Sequence, residues 1–147
     1  MKILSENRRV RFDYEVLETY EAGIELTGQE VKSAKLGRFN LSGAYAITRG
    51  GEVWLLNSEI PAYQPKNAPE DYDPSRSRRL LLHRKEISKF IGQLKKKSFA
   101  LIPLRAYLKK NFIKLELGLG RGRKKHDKRE LLKKKAVERE IRSHKDR

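Results

Sequence analysis

Apolar and polar positions alternate over much of this chain with the two-residue period of half-buried strands. Phe12, Tyr14 and Val16 alternate with Asp13 and Glu15. Ile113, Leu115, Leu117 and Leu119 alternate with Lys114, Glu116 and Gly118. Ala44 to Leu56 reads as two strands joined at Gly50-Gly51, a pair suited to a tight primed hairpin turn. Phe99 to Ile102 is predicted to pair with the strand at 113–119. Pro103 then marks an edge or a bulge, because it has no N–H to give to a ladder.

Two segments carry a helical period instead. Thr27-Gly28-Gln29-Glu30 is a capping-box pattern, and Gly37 is a natural stop for the helix that it starts. Ile87, Phe90, Ile91 and Leu94 form one apolar face of a second helix. Between the helices, residues 61–77 contain four prolines, Pro61, Pro65, Pro69 and Pro74, and read as a long loop. About six short strands with two or three short flanking helices predict a mainly β (α+β) fold. The expected architecture is a small antiparallel β-barrel of the oligonucleotide-binding type.

The pattern stops near residue 120, dividing the chain into a body (1–120) and a tail (121–147). All the aromatic residues, Trp54 included, lie in the body. The tail carries 13 Lys and Arg against 5 acidic residues, a surplus of +8. Leu131, Leu132, Ala136, Val137 and Ile141 give it only a thin apolar stripe, and Lys133, Lys134 and Lys135 repel one another. Gly118 to Gly122 reads as a hinge before it. The tail is expected to be disordered when free and to fold on a partner.

Charge then narrows the class. Over 147 residues, 35 Lys and Arg face 19 acidic residues, giving +16 and a pI near 10.2. Such a surplus implies a polyanionic partner, nucleic acid or an anionic membrane. No apolar run approaches the roughly 20 residues of a bilayer span. No signal-peptide or lipidation motif is visible, so no membrane role is expected. The absence of cysteine excludes disulfides and thiolate metal sites and fits a cytoplasmic protein.

No catalytic, metal or cofactor site is expected. His83, His126 and His144 have no partner at ligand spacing. No serine sits in a nucleophile elbow. Gly118 to Gly122 lacks the phosphate-loop lysine pattern. Glu70, Asp71 and Asp73 read as a solvated turn rather than the metal site of a nuclease. Arg8, Arg9 and Arg11, with Arg76, Arg78 and Arg79, read as a cationic track for phosphates. Leu80 to Leu82 is mostly core, with one leucine available to pack on a splayed base. Glu21 reads either as a strand-end ion-pair partner or as an acceptor for base amino groups.

An ordered set of motifs carries a resemblance. These are Asn7-Arg8-Arg9, Tyr14, Glu21-Ala22-Gly23-Ile24, Glu30-Val31-Lys32-Ser33, Gly51-Glu52 and Arg78-Arg79-Leu80-Leu81-Leu82-His83. Pro103-Leu104 with Tyr107 follows, then Gly122-Arg123-Lys124 and Asp127-Lys128-Arg129. In this order they resemble the small protein B family, the SsrA-binding proteins of bacterial trans-translation. Gln29, Ala34-Lys35, Arg121 and Arg123 depart from the family's usual residues. The resemblance implies a non-enzymatic factor that binds the tRNA-like domain of transfer-messenger RNA. It would deliver that RNA to stalled ribosomes, meeting elongation factor Tu through the aminoacylated RNA. It implies RNA contacts on the body at Asn7, Arg8, Glu21, Lys32, Leu81, His83 and Lys114. It implies decoding-centre contacts in the tail at Gly122, Lys124, His126, Asp127, Lys128 and Arg129, the tail becoming helical in the empty mRNA channel. Composition fits a structural ribosomal protein equally well, and presence on every ribosome would mark that alternative.

Overall fold

The computed structural model describes the backbone of residues 1–145 and the side chains of residues 1–139. Ile141 of the tail's apolar stripe and His144 therefore lie outside the described side chains. Seven strands form: β1 (Lys2–Glu6), β2 (Tyr14–Ile24), β3 (Tyr45–Arg49), β4 (Glu52–Leu56), β5 (Arg78–Leu81), β6 (Phe99–Lys109) and β7 (Phe112–Gly122). The helices are α1 (Val10–Asp13), α2 (Gly28–Lys35), α3 (Arg84–Gln93) and α4 (Lys125–Lys145), with a 3-10 turn at Pro65–Asn67.

All strand pairs are antiparallel. The order β6-β3-β4-β5-β2-β7 returns to β6, making a barrel-like ring of six strands, and β1 pairs with β6 at Arg105–Leu108, further along from the β3 contact at Leu101. Its loosest seam is β3 with β6, registered only at Ala46–Leu101. Inward positions of the ring, including Ala22, Val53, Leu55, Leu80, Leu101, Ala106, Leu115 and Leu117, form the main core. Phe90 of α3 plugs it and meets Tyr20 edge-on at 4.8 Å. Each fully buried side chain of this size stabilises the fold by about 1.5–3 kcal/mol.

Local chemistry sets the ends of these elements. Gly50 and Gly51 both take positive φ, 59° and 77°, as a primed hairpin turn requires. Thr27 caps α2, accepting from the Glu30 N–H at 3.3 Å while Glu30 accepts from the Thr27 N–H at 2.9 Å. Gly37 at φ +82° ends that segment. Helix α3 starts at His83, whose backbone N–H donates to Glu86 Oε1 at 3.1 Å.

Three expectations need correction. Phe12 and Asp13 belong to α1, and the strand starts at Tyr14, because the Phe12 N–H turns back to the Arg9 carbonyl at 3.0 Å. Gly118 to Gly122 is no hinge but the last part of β7. Bulges at Val16/Glu18 and Pro103/Arg105 bend β2 and β6 around it. A Cβ on Gly118 would stand 3.1 Å from Val16 Cγ1 and 3.2 Å from Leu104 Cδ2, so glycine there permits close packing. That packing seals a second cluster of Val10, Ile102 and Leu104. Finally, β2, β6 and β7 are long strands of 11 residues each, not short ones.

Candidate nucleic-acid interface

Pairing register lines up the outward side chains in rows. One row runs Leu81 (β5), Gly23 (β2), Lys114 (β7), Tyr107 (β6) and Ile3 (β1). The next runs Glu21, Glu116, Arg105 and Glu6. Their neighbours Ala22, Leu80, Leu115 and Ala106 point the other way into the core, as the pleat demands. Alternation that looked like core patterning thus also builds a mixed outer platform.

Leu81 is 44% exposed, while Leu80 beside it is fully buried. A Cβ on Gly23 would stand 3.2 Å from Leu81 Cβ, so the glycine lets the leucine lie against the strand. Glu21, at 43% side-chain exposure, accepts a hydrogen bond from the Tyr107 hydroxyl and pairs with Lys109 Nζ at 3.4 Å. Tyr107 first, then Lys109 and Lys114, hold the Glu21 carboxyl below the usual range against a smaller opposing effect of burial. Glu21 therefore presents an anion among cations, tied to Tyr and Lys rather than to Arg. Lys114 is half-buried, its ammonium 5.9 Å from the Phe112 ring. His83 lies two residues beyond the end of β5 and is exposed.

Asn7 and Arg8 lie at the far end of the second row. The Asn7 amide donates to the carbonyls of Leu41 at 3.2 Å and Pro103 at 3.1 Å, so it fastens β1's end to the barrel. The Arg8 side chain is 91% exposed and reaches only Glu6, at 3.9 Å. A shallow cavity of about 360 Å³ joins Asn7, Arg8 and Arg11 to Arg105 and Glu116. Lys32 stands apart on α2, over the Tyr63 ring at 5.7 Å.

The second arginine cluster is not a phosphate track. Arg78 is fully buried and Glu30 is 1% exposed. Arg78 Nε reaches Glu30 Oε2 at 2.8 Å, and its other nitrogens donate to Ser58 Oγ at 3.0 Å and the Pro74 carbonyl at 2.9 Å. Arg76 grips the same carboxylate at 2.5 Å. Arg79 is shared by Glu25 and Glu52, each at 3.3 Å. These charges fasten the proline loop to α2, since Ser33 Oγ also donates to the Pro61 carbonyl at 2.7 Å. Charge alone marks arginine as surface; only the fold reveals a buried acid among them.

The basic tail leaves the barrel as α4, and its root is clasped to α1. The Gly122 N–H donates to the Ser98 carbonyl at 2.7 Å, and the Arg123 N–H to the Asp13 carbonyl at 2.9 Å. Lys128 Nζ lies 3.3 Å from Asp13 Oδ1 and 5.8 Å from the Phe12 ring. Asp127 accepts from the Lys124 N–H at 3.3 Å, capping the helix. Lys124, His126 and Arg129 are exposed. Among the described residues there is no cluster of potential metal ligands. No helix among them is long and apolar enough to cross a membrane.

Comparison with known proteins fits this geometry. The family model for SmpB protein matches residues 4–147. The SsrA-binding protein of Gloeothece citriformis is 52% identical over 140 residues, covering 95% of this chain and 90% of the relative. That of Synechococcus elongatus is 51% identical over 141 residues, covering 96% and 92%. A solved chain from a structure of tmRNA–SmpB in the bacterial ribosome superposes with a TM-score of 0.69 at 42% identity, covering 87% of this chain and 93% of that one. With the tail and all but the first residues of β1 inside the matched span, the chain belongs to the SmpB protein family.

Proposed function

We propose that this protein binds the tRNA-like domain of transfer-messenger RNA with its outer platform and delivers it to stalled ribosomes for trans-translation. Asn7, Arg8, Glu21, Leu81, His83 and Lys114 meet the RNA, and Lys32 extends the contact from α2. The tail enters the empty mRNA channel, where Gly122, Lys124, His126, Asp127, Lys128 and Arg129 engage the decoding centre. An exposed imidazole such as His126 is suited to stacking on a ribosomal base. Elongation factor Tu joins through the aminoacylated RNA. Peptide transfer is the ribosome's chemistry, so the protein supplies positioning in the cytoplasm and no catalysis of its own.

One observation carries this reading. An exposed leucine, a positioned carboxylate and lysines share one sheet face, while half of the surplus charge sits in the tail. Base recognition and phosphate attraction are thereby divided between two parts of one chain. The test is a competition gel shift with the tRNA-like domain, joined to a tagging assay. A chain ending at Lys124, which keeps the Gly122 and Arg123 hydrogen bonds, should bind the RNA in excess bulk tRNA yet fail to support tagging. Equal loss of the complex to any RNA would point to a generic electrostatic binder, such as a ribosomal structural protein.

A further inference from the structure

The β6–β7 hairpin ends at the edge of the platform in a two-residue turn, Lys110-Asn111, with φ of +49° and +67°. Positive φ at both positions marks a primed turn, and for residues with side chains it carries a cost. Lys109 and Phe112 are the last pair before the turn. Ile113 and Leu108 of the next pair face the core, so Phe112 faces outward with Lys114, two residues or about 7 Å along β7. The β2–β7 ladder stops at Gly23–Lys114, so Phe112 overhangs β2 and is paired only on its β6 side. It is 68% exposed, and of the large apolar side chains of the body only Met1 is more so. A lone exposed apolar side chain calls for no explanation, but the setting of this one does. Lys114 Nζ lies 5.9 Å from the ring centre, and Lys109 and Lys110 are exposed at the same tip. Lys109 is engaged by Glu21, whereas among the described residues neither Lys110 nor Lys114 is in an ion pair.

A flat apolar ring with free ammonium groups beside it is complementary to a nucleotide, whose base stacks and whose phosphate is anionic. We propose that Phe112 is a stacking residue that takes an unpaired base of the bound RNA on its ring, with Lys110 and Lys114 meeting that nucleotide's backbone. This rests on the proposed RNA-binding role of the platform. It adds a contact at the hairpin tip that makes no demand on base identity, since every base has a π-face. A base inside a duplex is already stacked on its neighbours, so only an unpaired one has a face to give. The two-residue turn sets the ring in place before the RNA arrives, which spares part of the ordering cost of binding.

The experiment measures binding of the tRNA-like domain to the full chain and to Phe112→Trp, Phe112→Leu and Phe112→Ala, with melting of each. Phe112→Ala should bind about tenfold more weakly, the loss expected for one stacked base, and should melt as the wild type does. Phe112→Trp should bind at least as tightly as the wild type. Phe112→Leu keeps apolar bulk without a ring face and should stay close to Phe112→Ala. A second arm removes the bases of the unpaired nucleotides one at a time, leaving each ribose and phosphate in place. One abasic position should cost the wild type about tenfold and Phe112→Ala less than about twofold, as for partners in a single contact. Any of the four bases restored there should recover most of the affinity. Wild-type binding by Phe112→Leu would reduce the ring to apolar cover and overturn the inference. So would abasic RNAs that weaken the wild type and Phe112→Ala equally. Loss of tagging in Phe112→Ala with RNA affinity intact would assign the ring to the ribosome and overturn it too. Failure of the unaltered chain to prefer the tRNA-like domain over bulk tRNA would instead sink the platform's assignment itself.

Discussion

Glu30 answers to two demands at once. Its carboxylate closes the capping box of α2 and also neutralises Arg76 and Arg78. Burial pushes its carboxyl up, but donors from Arg76, Thr27 and Arg78 reverse this, and the net direction is down. A group with a depressed folded value stabilises fully above its unfolded value, here near 4.5, and loses that contribution as pH falls through the folded value. Urea unfolding should therefore show Glu30's contribution constant at neutral pH and eroding only in acid below about pH 4.5. Glu30→Gln should cost about 3–5 kcal/mol at pH 7, because two guanidinium groups lose their counter-ion, and should flatten the acid limb. At this scale the sequence was half legible. Thr27 and Glu30 announce their cap by spacing alone, whereas the triplet at Leu80 to Leu82 offers one leucine for exposure without saying which, and only the family resemblance points to Leu81. Nothing in the spacing of Arg78 separates it from a surface arginine, since its acid partner lies 48 positions away.

Elements were legible where a period is uninterrupted and obscure where it breaks. The β3–β4 hairpin, α2 and the pairing of β6 with β7 follow directly from their patterns. β1 carries just two adjacent apolar residues, Ile3 and Leu4, and no alternation, and β5 is paired through two or three residues on each side, too little to stand out. The glycines of β7 mislead for a physical reason. Close approach of strands requires the same missing side chain as flexibility does. Gly118→Ala separates the two explanations. A hinge would tolerate the methyl group or gain from it, whereas close packing against Val16 and Leu104 predicts a loss of about 1–3 kcal/mol. Thermal melting of the two proteins decides between them.

The whole molecule combines a ring with little charge bias on its inner face and a helix of strong positive charge at one corner. Fold class followed from strand periodicity and partner class from charge, because both are sums over many residues. Which face of the ring meets RNA is not such a sum. It depends on register, which places Leu81, Gly23, Lys114 and Tyr107 in one row. Counterion release should make RNA binding weaken steeply with salt. The chain ending at Lys124 should show a shallower slope of log affinity against log salt only if the tail also touches this RNA. An unchanged slope would assign all of the phosphate contacts to the body.

The seam between β2 and β7 also bears on how the chain is made. Tyr14 pairs with Gly122, so a strand completed early in synthesis waits for one completed near the end of the body. At about 5–20 residues per second, that wait lasts about 5–20 s. Throughout it, β2 stands with an unpaired edge and the barrel stays open. A nascent chain cut short before Phe112 holds no partner for that edge, and neither platform nor core forms. Folding is thereby deferred until β7 is synthesised, and every shorter product is left as a target for proteolysis.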